Sequence, residues 1–225
     1  MMETVQQVTP SYAAPLPEWL SAEHDMGTTL VAAEFPGGVV IGADSRTSTG
    51  TYVANRVSNK ITRITDSVYC CRSGSAADTQ ALADIVSYRM AMHEIEMGRP
   101  AAVRTVANTF REMCYQYRDD LMAGILCAGY DRTHGGQIYS LPIGGMMVRQ
   151  KVASGGSGST YIYGYLDSNY KPDFTAEQCV DFIRKGVSLA IHRDGSSGGV
   201  CRVAIITANG VERRTFTGDQ LFVPQ

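Results

Sequence analysis

The sequence has no uninterrupted apolar run long enough to cross a membrane, which excludes a spanning helix as its organising feature. It also lacks an excess of positive charge. Twenty Lys and Arg against 22 Asp and Glu leave a net charge of −2, which argues against a nucleic-acid footprint and against a polybasic membrane patch. The six cysteines, Cys70, Cys71, Cys114, Cys127, Cys179 and Cys201, show no C-x-x-C spacing. The four histidines, His24, His93, His134 and His192, form no H-E-x-x-H pattern. No metal and no cofactor are therefore expected, and the cysteines read as reduced core thiols, which favours cytosol or nucleus over a secretory route. Residues 1–27 lack the basic start and the continuous apolar core of a secretory signal. They carry Pro10, Pro15 and Pro17 with Glu18, Glu23 and Asp25 instead.

What is present suits one sizeable core: 225 residues, 44% of them hydrophobic, with 23 glycines for tight turns. After Thr28 the chain turns strand-like. Leu30 to Phe35 and Val39 to Ala43 predict a hairpin about Pro36-Gly37-Gly38. A polar loop rich in Thr and Ser follows, then strands over 61–65 and 68–73. Ser75 with Asp78 predicts a helix N-terminus, and Ala81, Ile85, Tyr88, Met92 and Ile95 repeat at helical spacing up to Gly98-Arg99-Pro100. A second helix carries Val103, Val106, Phe110, Met113 and Tyr117 on one face. Strands are expected over 125–130, 137–141 and 146–153, and a short tyrosine-rich helix after Gly155-Gly156-Ser157-Gly158-Ser159. Thr175 with Gln178 opens a further helix with Cys179, Ile183, Gly186 and Ala190 on one side. Strands over 200–206 and 211–216 flank an Asn209-Gly210 turn. Hairpins alternating with helix pairs indicate an α+β fold with antiparallel sheets. Several strands are apolar on consecutive residues, which implies two stacked sheets with helices outside.

Two glycine-rich motifs are readily misassigned. Gly195-Ser196-Ser197-Gly198-Gly199 matches G-x-S-x-G, but a helix precedes it, a strand follows, and no histidine lies beyond Ser197, so a serine hydrolase is excluded. Gly155 to Thr160 lacks the lysine of a phosphate-binding loop, so it reads as a tight turn that brings backbone and hydroxyl groups close to another segment.

The chemistry points to the junction Met26-Gly27-Thr28-Thr29. Hydrolysing a peptide bond needs an activated nucleophile and a base. A threonine that becomes the first residue of a chain has both, because its α-amine, with an ordinary pKa of about 7.7–8.0, accepts the proton of its own hydroxyl. In an uncut chain that nitrogen is an amide, so residues 1–27 read as a removable propeptide and 28–225 as the working domain. Lys60 and Asp44 gain weight in combination with Thr28: an ammonium near the nucleophile favours proton loss, and a carboxylate holds the ammonium in place.

Thr28-Thr29, Gly42-Ala43-Asp44-Ser45-Arg46, Lys60, the run from Cys71 to Asp78, Gly156-Ser157-Gly158 and the run from Arg193 to Gly199 occur in an order and spacing that resemble the catalytic β subunits of the 20S proteasome, and most of all their β1 type. The resemblance runs from Thr28 to near the C-terminus. It implies the N-terminal-nucleophile hydrolase fold, a four-layer αββα sandwich. It further implies cleavage between Gly27 and Thr28, Thr28 as nucleophile, Asp44 and Lys60 as its charge pair, and Ser157, Asp194 and Ser197 as the polar network around the amine. Gly74 would supply the oxyanion N–H, and Arg72 and Ser48 would contact substrate, with Arg72 conferring a caspase-like preference for acidic residues. Ser48 and Ser58 stand where threonine is familiar in this type. The implied partners are other α and β subunits in stacked heteroheptameric rings and unfolded polypeptide substrates, with no nucleic acid and no membrane. The alternative is a non-catalytic ring-scaffold β subunit.

Overall fold

The computed structural model describes residues 27–49 and 52–222; apart from Gly27, the expected propeptide lies outside them. β1 (Leu30–Phe35) and β2 (Gly38–Ala43) form the first hairpin, with Gly37 at φ 109° in the turn. β1 also pairs with β10 (Val152–Gly155), and β2 with β11 (Cys201–Thr207), whose outer neighbour is β12 (Gly210–Phe216). The second sheet has the order β5 (Ile61–Arg63), β6 (Val68–Gly74), β7 (Ala123–Asp131), β8 (Gly135–Leu141), β9 (Val148–Arg149), again antiparallel throughout.

Strand alternation explains the consecutive apolar residues. Leu30, Ala32 and Ile41 enter a core shared with Cys71, Leu126 and Ile138 of the second sheet, whereas Val31, Ala33 and Val40 pack with helix residues on the opposite face. That outer layer comprises α3 (Tyr163–Asn169) and α4 (Ala176–Arg193), which contributes Cys179, Ile183, Val187 and Ala190. On the other side α1 (Ala76–Met97) and α2 (Val103–Gln116) cover the second sheet through Leu82, Val86, Met90, Val106 and Phe110. The result is the expected four-layer αββα sandwich. Thr175 and Gln178 bond reciprocally at the start of α4. Ser75 caps α1 by accepting from the Asp78 N–H, but the Asp78 carboxylate accepts instead from the Met122 N–H at 3.1 Å.

Several expectations change; Tyr117, expected on the apolar face of α2, lies just past the end of that helix and is exposed. The polar loop after Asp44 contains a small hairpin, β3 (Thr47–Thr49) and β4 (Tyr52–Asn55). The strand expected over 146–153 is two, because the chain crosses between sheets there: Gln150 N–H donates to Ile138 of the second sheet and Lys151 C=O accepts from Glu34 of the first. The periodic set on α1 is not its core face; Ile85, Tyr88, Met92 and Ile95 are exposed, and Leu82, Val86 and Met90 point inward. All six cysteines are buried and free, and burial pushes the Cys70, Cys179 and Cys201 thiols up to about 12, so they act as apolar core groups.

Candidate active site

Thr28 sits immediately before β1 at one end of the sandwich, with 4% of its surface exposed. The glycine-rich turn expected to approach another segment cradles this one. Gly158 N–H donates to the Thr28 carbonyl at 3.1 Å, and Thr28 N–H donates to Ser157 Oγ at 3.2 Å. Gly156 has φ 80°, and a Cβ there would overlap the Thr28 carbonyl, so only glycine allows the approach. Thr28 Oγ1 donates to the Gly27 carbonyl at 2.8 Å.

β2 delivers Asp44 and the start of β5 delivers Lys60 to the same place. Lys60 Nζ lies 2.7 Å from Asp44 Oδ1, 3.0 Å from Thr28 Oγ1 and 3.0 Å from the Gly27 carbonyl oxygen. Asp44 is fully buried and its remaining lone pairs are filled: Oδ1 accepts from Thr29 N–H at 2.9 Å, Oδ2 from Arg46 N–H at 3.1 Å and Gly198 N–H at 3.0 Å. A buried ion pair holds together only when its hydrogen-bonding capacity is met in this way. Burial pushes the Lys60 ammonium below the usual lysine range, and the Asp44 carboxylate opposes that shift.

At the end of α4, Asp194 Oδ2 accepts from Ser157 Oγ at 2.7 Å and from Ser197 Oγ at 2.6 Å, while Oδ1 accepts from Ser196 N–H at 3.0 Å. Ser197 Oγ is also 2.7 Å from Thr29 Oγ1. The six residues singled out as catalytic, Thr28, Asp44, Lys60, Ser157, Asp194 and Ser197, thus form one connected polar cluster, although they span the chain.

A cavity of about 200 Å³ opens beside Thr28, lined among others by Lys60, Arg72, Gly74, Thr47 and Ser58. Gly74 ends β6 with φ 94°, where a Cβ would overlap the Met122 carbonyl. Arg72 Nε donates to Thr62 Oγ1 at 3.0 Å and one terminal nitrogen to Thr79 Oγ1 at 3.3 Å. No carboxylate among the described residues forms an ion pair with it. Ser48 is not among the lining residues: it is buried on β3, whereas its neighbour Thr47 lines the cavity. Sequence reasoning assigned no role to Thr29, Thr62 or Thr79, because hydroxyl residues are common and their partners lie far away in the chain. Among the described residues no group of three or more His, Cys, Asp or Glu is placed to hold a metal ion, and no helix is long and apolar enough to cross a membrane.

Two sheets stacked between helix layers, with a threonine ahead of the first strand and a lysine–aspartate pair at its hydroxyl, define the N-terminal-nucleophile fold class. Residues 24–206 match the profile of the family described as "Proteasome subunit". The chain is 54% identical over 205 residues to proteasome subunit beta type-6 of Dictyostelium discoideum, covering 91% of this chain and 96% of that protein. It is 50% identical to proteasome subunit beta type-1 of Saccharomyces cerevisiae, covering 88% and 92%, and 49% identical to proteasome subunit beta type-9 of Rattus norvegicus, covering 89% and 91%. The chain belongs to the proteasome subunit family, on its β side.

Proposed function

We propose that this β subunit is a threonine endopeptidase, matured by cleavage between Gly27 and Thr28 and selective for acidic residues before the cut. The observation that carries the reading is Lys60 Nζ at 3.0 Å from Thr28 Oγ1 and 2.7 Å from Asp44 Oδ1. In maturation Thr28 Oγ attacks the Gly27 carbonyl carbon, the carbon–nitrogen bond breaks, the nitrogen takes the hydroxyl proton, and water hydrolyses the resulting ester. Gly27 suits the junction because a Cβ there would overlap Ser196.

In the cut chain Thr28 Oγ attacks a substrate carbonyl while its proton passes to the α-amine, and the negative charge developing on the carbonyl oxygen is met by the Gly74 N–H. Collapse of that intermediate expels the leaving amine with the proton from the α-ammonium, and water then hydrolyses the ester on Thr28. Lys60 acts as an ammonium that favours the deprotonated nucleophile, and Asp44 fixes its position. Arg72 presents free guanidinium donors to a substrate carboxylate.

The subunit works with other α and β subunits in stacked heteroheptameric rings, in cytoplasm and nucleus, on unfolded polypeptides. The exposed Ile85, Tyr88, Met92 and Ile95 of α1 support burial against neighbouring subunits. In assembled particles the intact mass of this chain should equal that of residues 28–225, and Thr28→Ala should block both processing and cleavage after acidic residues. A chain starting elsewhere, or normal processing of the alanine variant, overturns the assignment and leaves the scaffold reading.

A further inference from the structure

Thr29 is bonded to the polar cluster and has no part in the mechanism above. Thr29 is fully buried; its N–H donates to Asp44 Oδ1 at 2.9 Å, its carbonyl accepts from Asp44 N–H at 3.2 Å, and its hydroxyl meets Ser197 Oγ at 2.7 Å. A Cβ on Gly158 would overlap Thr29 Oγ1, so the turn backbone packs directly against this side chain. Thr29 therefore touches both halves of the site, the carboxylate that holds Lys60 and the hydroxyls gathered around Asp194.

Counting protons fixes the direction of every bond in that second half. A serine or threonine hydroxyl has one proton to donate. Ser157 gives its proton to Asp194 Oδ2, so toward Thr28 N it acts only as an acceptor. Ser197 also gives its proton to Asp194 Oδ2, so the Thr29 hydroxyl must donate to Ser197. The reverse assignment would set a lone pair of Ser197 against a carboxylate oxygen at 2.6 Å, a repulsive contact. The same rule bears on the base. Once the chain is cut, Ser157 takes an N–H of the α-amine and cannot donate into its lone pair, which stays available for the Thr28 hydroxyl proton.

We propose that Thr29 is a positioning residue for the α-amine base: its hydroxyl polarises Ser197 toward Asp194, and Asp194 in turn holds Ser157 as an obligate acceptor for the Thr28 nitrogen. The proposal rests on the endopeptidase reading above. Linked hydroxyl bonds strengthen one another, so losing the terminal donor weakens Ser197's bond to Asp194 and leaves more of the carboxylate's negative charge to act through Ser157. That stabilises the protonated amine, so the base becomes available only at higher pH.

The test compares Thr29→Val, of similar shape without a hydroxyl, with Thr29→Ser, which keeps it, in particles whose other catalytic subunits are blocked. Thr29→Val should mature to the same chain start. Its kcat on acidic peptides should fall about threefold to tenfold with KM nearly unchanged, and the acid limb of its pH–rate profile should move to higher pH. Thr29→Ser should restore both. Lys60 contacts Thr28, Asp44, Asp194 and Arg46 are the charged groups that act on that lysine, Arg72 lines the adjoining cavity, and Thr29→Val alters none of them, so a shift in the limb reports the hydroxyl chain. A wild-type rate and profile in Thr29→Val, or equal damage in Thr29→Ser, overturns the proposal while the endopeptidase reading stands. An inactive wild type overturns both. If Thr29→Val does not assemble, Thr29→Ala removes the hydroxyl without the valine's shape; assembly lost in both but kept in Thr29→Ser makes the Thr29 hydroxyl a structural hydrogen-bond donor needed for assembly and also overturns the proposal.

Discussion

Lys60 and Arg72 line the same cavity and are partnered in opposite ways. Lys60 is 8% exposed and lies 2.7 Å from a fully buried carboxylate whose other lone pairs are taken by backbone N–H groups. Arg72 is held by two neutral threonine hydroxyls and has no carboxylate partner among the described residues. A cation already neutralised inside the protein gains little by attracting a further anion, and its work is local: it acts on the atom it touches, Thr28 Oγ1. A guanidinium held in place by neutral groups keeps its charge for a ligand, and its planar fork fits a carboxylate. On the proposed function the two cations divide reactivity and selectivity between them.

Substitution at Lys60 breaks the comparison most severely. Lys60→Ala removes the ammonium and strands the buried Asp44 carboxylate, so cleavage should fall by at least about a hundredfold. Lys60→Arg should not rescue it, because the larger planar group cannot reproduce contacts at 2.7 Å and 3.0 Å to Asp44, Thr28 and Gly27 from one nitrogen. Peptide assays together with the intact mass of the chain measure both effects. Full activity in the arginine variant would mean that any positive charge suffices.

Arg72→Met should produce a smaller and selective effect. Losing a desolvated charge pair with substrate costs about 2–5 kcal/mol, so kcat/KM after Glu and Asp should drop tens- to thousands-fold, while processing at Thr28 continues. Peptides differing only at that position, with the other catalytic subunits blocked, provide the measurement. An unchanged acidic preference would make Arg72 a structural cation braced by Thr62 and Thr79.

How far these roles were legible in the sequence follows from how local their signals are. The hairpin of β1 and β2, with both faces apolar, and α4, with its reciprocal cap, carry their patterns within a few residues, and both fold as those patterns predict. On α1 the apolar residues lie on more than one side. Periodicity picks out Ile85, Tyr88, Met92 and Ile95, while packing on the sheet selects Leu82, Val86 and Met90. The split between β9 and β10 arises because the chain changes sheets, a tertiary event with no local mark. Thr28, Asp44 and Lys60 stood out as a combination of residue types with one chemical purpose. Thr62 and Thr79 did not, because what distinguishes them is the guanidinium of Arg72 between them.

The gentlest probe of the comparison changes pH and no residue. Burial lowers the Lys60 pKa, so as pH rises Lys60 loses its proton before an exposed lysine, whose pKa is about 10.4, would lose its own. If the ammonium tunes the nucleophile, kcat/KM should decline on the alkaline side through that lowered pKa, because the neutral amine no longer favours proton loss from Thr28. The acidic preference is proposed for Arg72, a separate cation bonded to Thr62 and Thr79 and not to Lys60 or Asp44. The ratio of kcat/KM for acidic over apolar peptides should therefore stay constant while both values fall together. Profiles for the two peptide classes on the same particles, with the other catalytic subunits blocked, decide the matter. A ratio that collapses along with the rate would assign the acidic preference to the titrating lysine, and the division between the two cations would fail.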